Sequence, residues 1–135
     1  MKIPAQFLSA TALCAVASAT LAHHSFAMFD QSKTVELRGA VTELQWTNPH
    51  VFLHVEVADA SGKVTWEVEL NSPNNLRREG WKADSVKVGD KVVVSIHPLR
   101  DGSHGGLFIS VTLPDGKVLG EPGGFRGPIN VPKAD

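Results

Sequence analysis

The segment from Val51 to Leu70 reads V-F-L-H-V-E-V-A-D-A-S-G-K-V-T-W-E-V-E-L and specifies a β-hairpin. In its first half Val51, Leu53, Val55 and Val57 alternate with Phe52, His54, Glu56 and Ala58. In its second half Val64, Trp66, Val68 and Leu70 alternate with Thr65, Glu67 and Glu69. Alternation with a period of two residues puts every second side chain on the same side of a strand. Asp59-Ala60-Ser61-Gly62 between the halves has turn chemistry. With those residues as the loop, Ala58 pairs with Lys63, and the pairs Val57–Val64, Val55–Trp66, Leu53–Val68 and Val51–Leu70 follow. The apolar faces then coincide, while His54 opposes Glu67 and Phe52 opposes Glu69. A one-residue slip would set apolar against polar throughout, so the register is well specified.

Outward from the hairpin, short β-runs are punctuated by Gly, Pro, Asn and Asp. Upstream, Thr34 to Trp46 carries Val35, Leu37, Val41, Leu44 and Trp46 in rough alternation. Gly39 and a slip of phase between Val41 and Leu44 both suit a bulged, sharply coiled strand. Asn48-Pro49 ends it. Downstream, Ser72 has the chemistry of an N-cap and Pro73 suits a first helical position. A short helix follows to Glu79, with Gly80 as its left-handed stop and Trp81 folding back on the barrel. Val92, Val94 and Ile96 mark a fourth strand, Pro98 to Gly106 a loop, and Leu107 to Leu113 a fifth strand. Asp115-Gly116 then turns Val118 and Leu119 back. The expected fold class is all-β with one short helix, in an OB-fold-like five-stranded Greek-key barrel over residues 34–119. A small β-sandwich is the competing arrangement, but five strands are few for one.

The ends of the chain have a different character. Residues 1–22 read as a secretory signal peptide: Lys2, an uncharged apolar run from Phe7 to Ala17, and a small-residue site at Ala19-Thr20-Leu21-Ala22. Cleavage after Ala22 starts the mature chain at His23; cleavage after Ala19 also fits. The apolar run is shorter than a membrane span needs, so no membrane anchor is expected after cleavage. Cys14 is the chain's one cysteine and lies in this leader, so the mature chain has no disulfide and no thiol nucleophile. Residues 23–33 form a His-rich N-terminal segment, and residues 120–135 a Gly/Pro-rich tail of flexible composition. Lys and Arg total 13 against 14 Asp and Glu, a net charge of −1. That balance argues against a nucleic-acid or anionic-membrane surface, which needs excess cation.

HHSFAMFD (23–30), WTNPH (46–50), WEVELNSPNNLRREGW (66–81) and VGDKVVV (88–94) together give a resemblance. They resemble a bacterial family of small exported proteins of unknown function whose mature N-terminus begins His-His-Ser-Phe-Ala. The likeness covers nearly all of residues 23–119. It implies an exported, periplasmic or secreted protein and no particular activity. Met28 departs from it, standing where an acidic or small residue is commoner.

All six histidines follow the leader: His23, His24, His50, His54, His97 and His104. A free amine on His23 beside the rings of His23 and His24 is a nitrogen-rich chelate, which suits copper(II). His50 or His104 would complete that set from the barrel. The plainer reading makes residues 23–30 a docking segment in which Phe26 and Phe29 pack on the barrel. A second candidate site is the corner with Trp46, Asn48 and His50, with Arg77 and Trp81 beside it, since loops at one end of an OB barrel carry ligand contacts. Against this, Trp46 can serve as core, Arg77 and Arg78 suit a helix C-terminus, and Glu56, Glu67 and Glu69 can form a solvated strand face.

No GxSxG, HExxH, phosphate loop or cysteine nucleophile is present. Asp101, Ser103 and His104 share a loop, but a triad needs a convergent order in space. The expectation is therefore a binding or accessory module rather than an enzyme, and its sharper form binds copper(II) through His23 and His24. The alternatives left open are a cell-envelope structural or interaction protein that meets a protein or glycan partner, and a small-molecule carrier.

Overall fold

The computed structural model describes residues 26–120. The proposed leader, His23, His24 and the tail 121–135 lie outside the described residues. Six strands and one short helix follow in order: β1 Val35–Gln45, β2 Phe52–Asp59, β3 Gly62–Glu69, α1 Pro73–Arg78, β4 Lys91–Pro98, β5 Gly105–Thr112 and β6 Val118–Gly120. The sheet order is β3-β2-β1-β4-β5-β6, and β3 also pairs with β5. That last pairing is parallel and joins Glu67, Val68 and Glu69 to Gly105, Gly106 and Leu107. It closes β1–β5 into a five-stranded barrel of OB-like layout, with β6 as a short addition to β5.

The hairpin has the expected register, with Val57 on Val64, Val55 on Trp66, Leu53 on Val68, His54 on Glu67 and Phe52 on Glu69. Its strands close one pair further than the four-residue loop suggests, because Asp59 also pairs with Gly62. Ser61 donates its backbone N–H (2.7 Å) and its hydroxyl (2.6 Å) to the Asp59 carboxylate, which tightens the turn. Beyond it, Leu70 donates to the Val51 carbonyl at 2.8 Å.

β1 serves two neighbours. Its first half pairs with β4 and its second with β2, and Gly39 and Ala40 belong to both. The ladder with β2 shifts register between Val41 and Glu43, where the sequence pattern slips. A Cβ on Gly39 would strike the Glu56 carbonyl oxygen, so the strand can coil here only as glycine.

The barrel interior holds Leu37, Val41, Leu53, Val55, Val68, Val94, Ile96 and Val111, all essentially without solvent exposure. α1 closes one end. Ser72 Oγ accepts from Asn75 N at 3.4 Å as the N-cap, and Pro73 opens the helix. Gly80, at φ 89°, ends it in the left-handed region. Leu76 and Trp81 then point into the core, where the Trp81 indole meets Phe108 edge-on at 5.4 Å. Among the described residues no helix is long and apolar enough to cross a membrane.

Candidate functional site: an acidic cleft under an N-terminal strap

The segment ahead of β1 lies across the outside of the barrel. Phe26–Met28 form one 3-10 turn, and Phe29 then makes an antiparallel bridge to Leu99, just past β4. Asp30 N donates to the Pro98 carbonyl (2.8 Å), and Arg100 N donates to the Met28 carbonyl (2.9 Å). Arg100 Nε also donates to the Ala27 carbonyl at 3.0 Å. Phe29 is 3% exposed, so it is the apolar anchor of this strap, whereas Phe26 remains 42% exposed. The docking reading of residues 23–30 therefore holds for Phe29.

Asp30 fastens the strap electrostatically. Its carboxylate accepts the Ser32 hydroxyl at 2.6 Å and sits 3.3 Å from Lys33 Nζ and 3.7 Å from Arg100 Nη1. The Ser32 hydrogen bond, helped by Lys33 and Arg100 and opposed by desolvation, holds its pKa below the ordinary 3.8.

Beneath the strap is a cleft of about 260 Å³ lined by Met28 and Phe29, by Phe52, Glu67 and Glu69 of the hairpin, and by Leu99, Ser103, His104, Gly105 and Gly106. The hairpin's alternation explains the two glutamates. Val68 faces the core, so its neighbours on β3 face outward. Gly105 and Gly106 let the strands close. A Cβ on Gly105 would lie 2.7 Å from Leu99 Cδ1, and one on Gly106 2.7 Å from the His97 carbonyl oxygen. The β2–β3 face with the β4–β5 loop is where OB barrels bind ligands. Here that face is acidic, which suits a cation and disfavours a polyanion.

His104 ends the β4–β5 loop. Its carbonyl accepts from Glu67 N at 3.1 Å, and its ring stands edge-on to Trp66 at 5.1 Å. The loop ahead of it is set by Asp101, which accepts from Ser103 N (2.9 Å) and Ser103 Oγ (2.6 Å). These bonds pull the Asp101 pKa down, the Ser103 hydroxyl contributing most. Asp101 thus holds the serine itself and does not orient an imidazole, so the loop lacks the order of a triad.

His50 reaches the cleft through Glu69. Its Nδ1 lies 3.2 Å from the Leu70 carbonyl oxygen and 3.5 Å from Glu69 Oε1. Two acceptors around one nitrogen require a proton there, which leaves the lone pair of the neutral ring on Nε2. Glu69 is 9% exposed, so its charge is held close to the imidazole.

The other candidates lie apart from the cleft. The Arg77 guanidinium stacks 5.7 Å from the Trp46 ring and donates to Asn74 Oδ1 at 3.2 Å. Trp46 Nε1 is buried with no hydrogen-bond partner among the described residues. Asn48 is exposed at the corner. Trp81, 2% exposed, belongs to the core and presents no face to a ligand. His97 Nδ1 is bound to the Lys33 carbonyl oxygen at 2.7 Å. A larger groove of about 620 Å³ has Arg38, Lys63 and Lys91 in its walls. It contains no histidine, and two of its cations are already paired, Arg38 with Glu36 (2.7 Å) and Lys63 with Glu56 (2.8 Å). The cleft under the strap has the richer chemistry.

Among the described residues no three His, Cys, Asp or Glu side chains converge into a metal set. His23 and His24 lie outside the described residues. Sequence reasoning did not assign Met28 or Phe52 to a site and took Glu67 and Glu69 as a solvated face. The Gly105-Gly106 pair was the available signal that two strands approach closely there.

No curated protein and no solved structure matches the chain. A family model described as a family of unknown function, DUF6152, matches residues 11–109, a span that runs through the strap, β1 to β4 and more than half of β5. The chain belongs to this DUF6152 family of unknown function.

Proposed function

We propose that this protein is an exported binding module that takes up copper(II) at the mouth of the strap cleft. The ligands are the His23 amine and ring, the His24 ring, and His104 from the barrel. One observation supports the reading: the bond from Arg100 N to the Met28 carbonyl holds Met28, four residues after His24, on the wall of the cleft that His104 also lines. His24 is four residues from Met28, a tether of roughly 14 Å at full extension. Glu67 and Glu69 add negative charge beside a dication, and imidazole and amine nitrogens suit copper(II). Export follows from the leader read in residues 1–22, which would free the His23 amine in a compartment where copper is met as an ion.

The test is copper(II) titration of protein that begins at His23, followed by EPR and calorimetry. The nitrogen-rich EPR signal should be lost in the double variant His23→Ala, His24→Ala and altered in His104→Ala. An unchanged spectrum and affinity in the double variant would overturn the reading. Mass spectrometry of the exported protein's N-terminus tests the cleavage after Ala22 on which the amine ligand depends.

A further inference from the structure

We propose that the cleft under the strap binds a primary alkylammonium group. The Glu69 and Glu67 carboxylates hold the charge, and Phe52, Phe29 and Leu99 surround the alkyl chain. The site uses neither His23 nor His24, so it stands apart from the copper(II) reading.

Glu69 carries the inference. It is 9% exposed and lines the cleft, yet no hydrogen bond reaches its carboxylate among the described residues. Its one ion-pair contact there is His50 Nδ1 at 3.5 Å, and that nitrogen lies closer, at 3.2 Å, to the Leu70 carbonyl oxygen. A carboxylate this far out of water is costly unless a donor meets it. Trp46 Nε1 is the one side-chain polar atom both fully buried and unpartnered among the described residues. The free Glu69 oxygen is therefore open to the cleft rather than sealed beneath it.

The surroundings complete the site. Glu67 is two residues before Glu69 on β3, on the same side of the strand and roughly 7 Å away along it. Gly105 pairs with Glu67 and Gly106 with Val68, so the neighbouring strand brings no side chain to fill the space beside the glutamates. Phe52 stands opposite Glu69 in the hairpin, while Phe29 and Leu99 close the cleft from the strap side. Two carboxylates thus sit against apolar walls.

That arrangement selects the ligand. Among the described residues no three His, Cys, Asp or Glu side chains converge, so the cleft's own side chains do not form the oxygen shell that calcium requires. An ammonium brings three donors of its own and needs only acceptors. As a point charge with rotatable donors it can meet two carboxylates at once, whereas a planar guanidinium matches one carboxylate edge-on. The cleft, about 260 Å³, is smaller than sites for drug-sized ligands, which suits a short free amine or one lysine side chain.

The test uses chelator-treated protein beginning at His23, titrated with n-pentylammonium by NMR and calorimetry. Binding is expected with a Kd of about 1 mM or tighter, shifting the amides of Glu67, Glu69 and Gly105. n-Pentanol has the same body without charge, and trimethylpentylammonium has the charge without N–H donors. Each should bind at least about tenfold more weakly. Glu69→Gln keeps the shape and should weaken the amine at least about tenfold, and Glu67→Gln by less. Equal affinity for n-pentanol, or unchanged amine affinity in Glu69→Gln, would overturn the proposal. If Glu69→Gln does not fold, the three ligands on the parent protein decide it. Nα-acetyl-lysine methylamide run in parallel identifies the source: tighter binding than n-pentylammonium assigns the site to a lysine side chain, weaker binding to a free amine. The double variant His23→Ala, His24→Ala should bind the amine as its parent does, and a loss there would overturn the assignment to the glutamates.

Discussion

Arg100 holds Met28 from the main chain: its backbone N–H donates to the Met28 carbonyl at 2.9 Å, while its side chain reaches back to Ala27 at 3.0 Å. One residue of the β4–β5 loop thus fastens two residues of a strap some seventy positions earlier in the chain. The loop that presents His104 and the strap that presents Met28 are for this reason a single unit.

Phe29 is the strap's apolar anchor. Phe29→Ala should cost about 3 kcal/mol, the loss for removing a buried aromatic ring, read by chemical denaturation. Arg100→Ala keeps the backbone bond and should cost no more than about 1 kcal/mol, since it removes a partly exposed hydrogen bond and an exposed ion pair. Hydrogen exchange at Asp30, whose amide is bonded to Pro98, should speed up in both. A Phe29→Ala protein as stable as its parent would show that the strap is not packed as described.

The strap should loosen in acid. The folded pKa of Asp30 is depressed below 3.8, chiefly by the Ser32 hydroxyl. A depressed carboxyl stabilises the fold fully above its unfolded value, and that contribution is lost as pH falls from there through the folded pKa. NMR shifts of residues 27–33 should therefore hold steady down to about pH 4 and move below it. Asp30→Asn should abolish that low-pH transition while leaving the hairpin resonances alone.

Gly39 is where β1 passes from β4 to β2, and a Cβ there would strike the Glu56 carbonyl oxygen. The obstructing Glu56 atoms are backbone, so no rotamer change relieves the clash. Gly39→Ala should cost about 3 kcal/mol or more, at or above the upper end for overpacked sites. Gly116→Ala is the contrast: its φ of 84° makes alanine strained, but nothing lies within 4 Å. Its cost should be about 1 kcal/mol. Thermal melts of the two variants provide the comparison.

Copper(II) affinity at the proposed site should rise with pH between about 6 and 8, because amine and imidazoles bind only when deprotonated. Each proton displaced adds about tenfold per pH unit below its pKa, so calorimetry at pH 6 and 7 should differ by tenfold or more. A protein extended at its N-terminus by a tag should lose the amine chelate and keep only the shallower dependence due to the imidazoles.

Much of the barrel could be read from residues alone. The Val51–Leu70 register, the irregularity between Val41 and Glu43 and the Ser72-Pro73 start of α1 were all legible. Each is a local matter: alternation sets which side chain faces in, and turn and cap chemistry sets where an element begins or stops. The packing of Trp81 against the barrel was legible too, because a large apolar residue after a capped helix has few other places to go.

The site was much less so. Glu67 and Glu69 look the same in sequence whether they face water or a cleft, and nothing in the alternation of β3 distinguishes the two. Their surroundings depend on the parallel pairing of β3 with β5 and on the bridge from Phe29 to Leu99. Neither contact has a periodicity, because each joins segments separated by dozens of residues through backbone groups that every residue carries. Local pattern thus fixed the strands, the turns and the faces of the hairpin. The closure of the barrel, the seating of the strap, and the meeting of Met28, His104 and two glutamates in one cleft came from long-range packing.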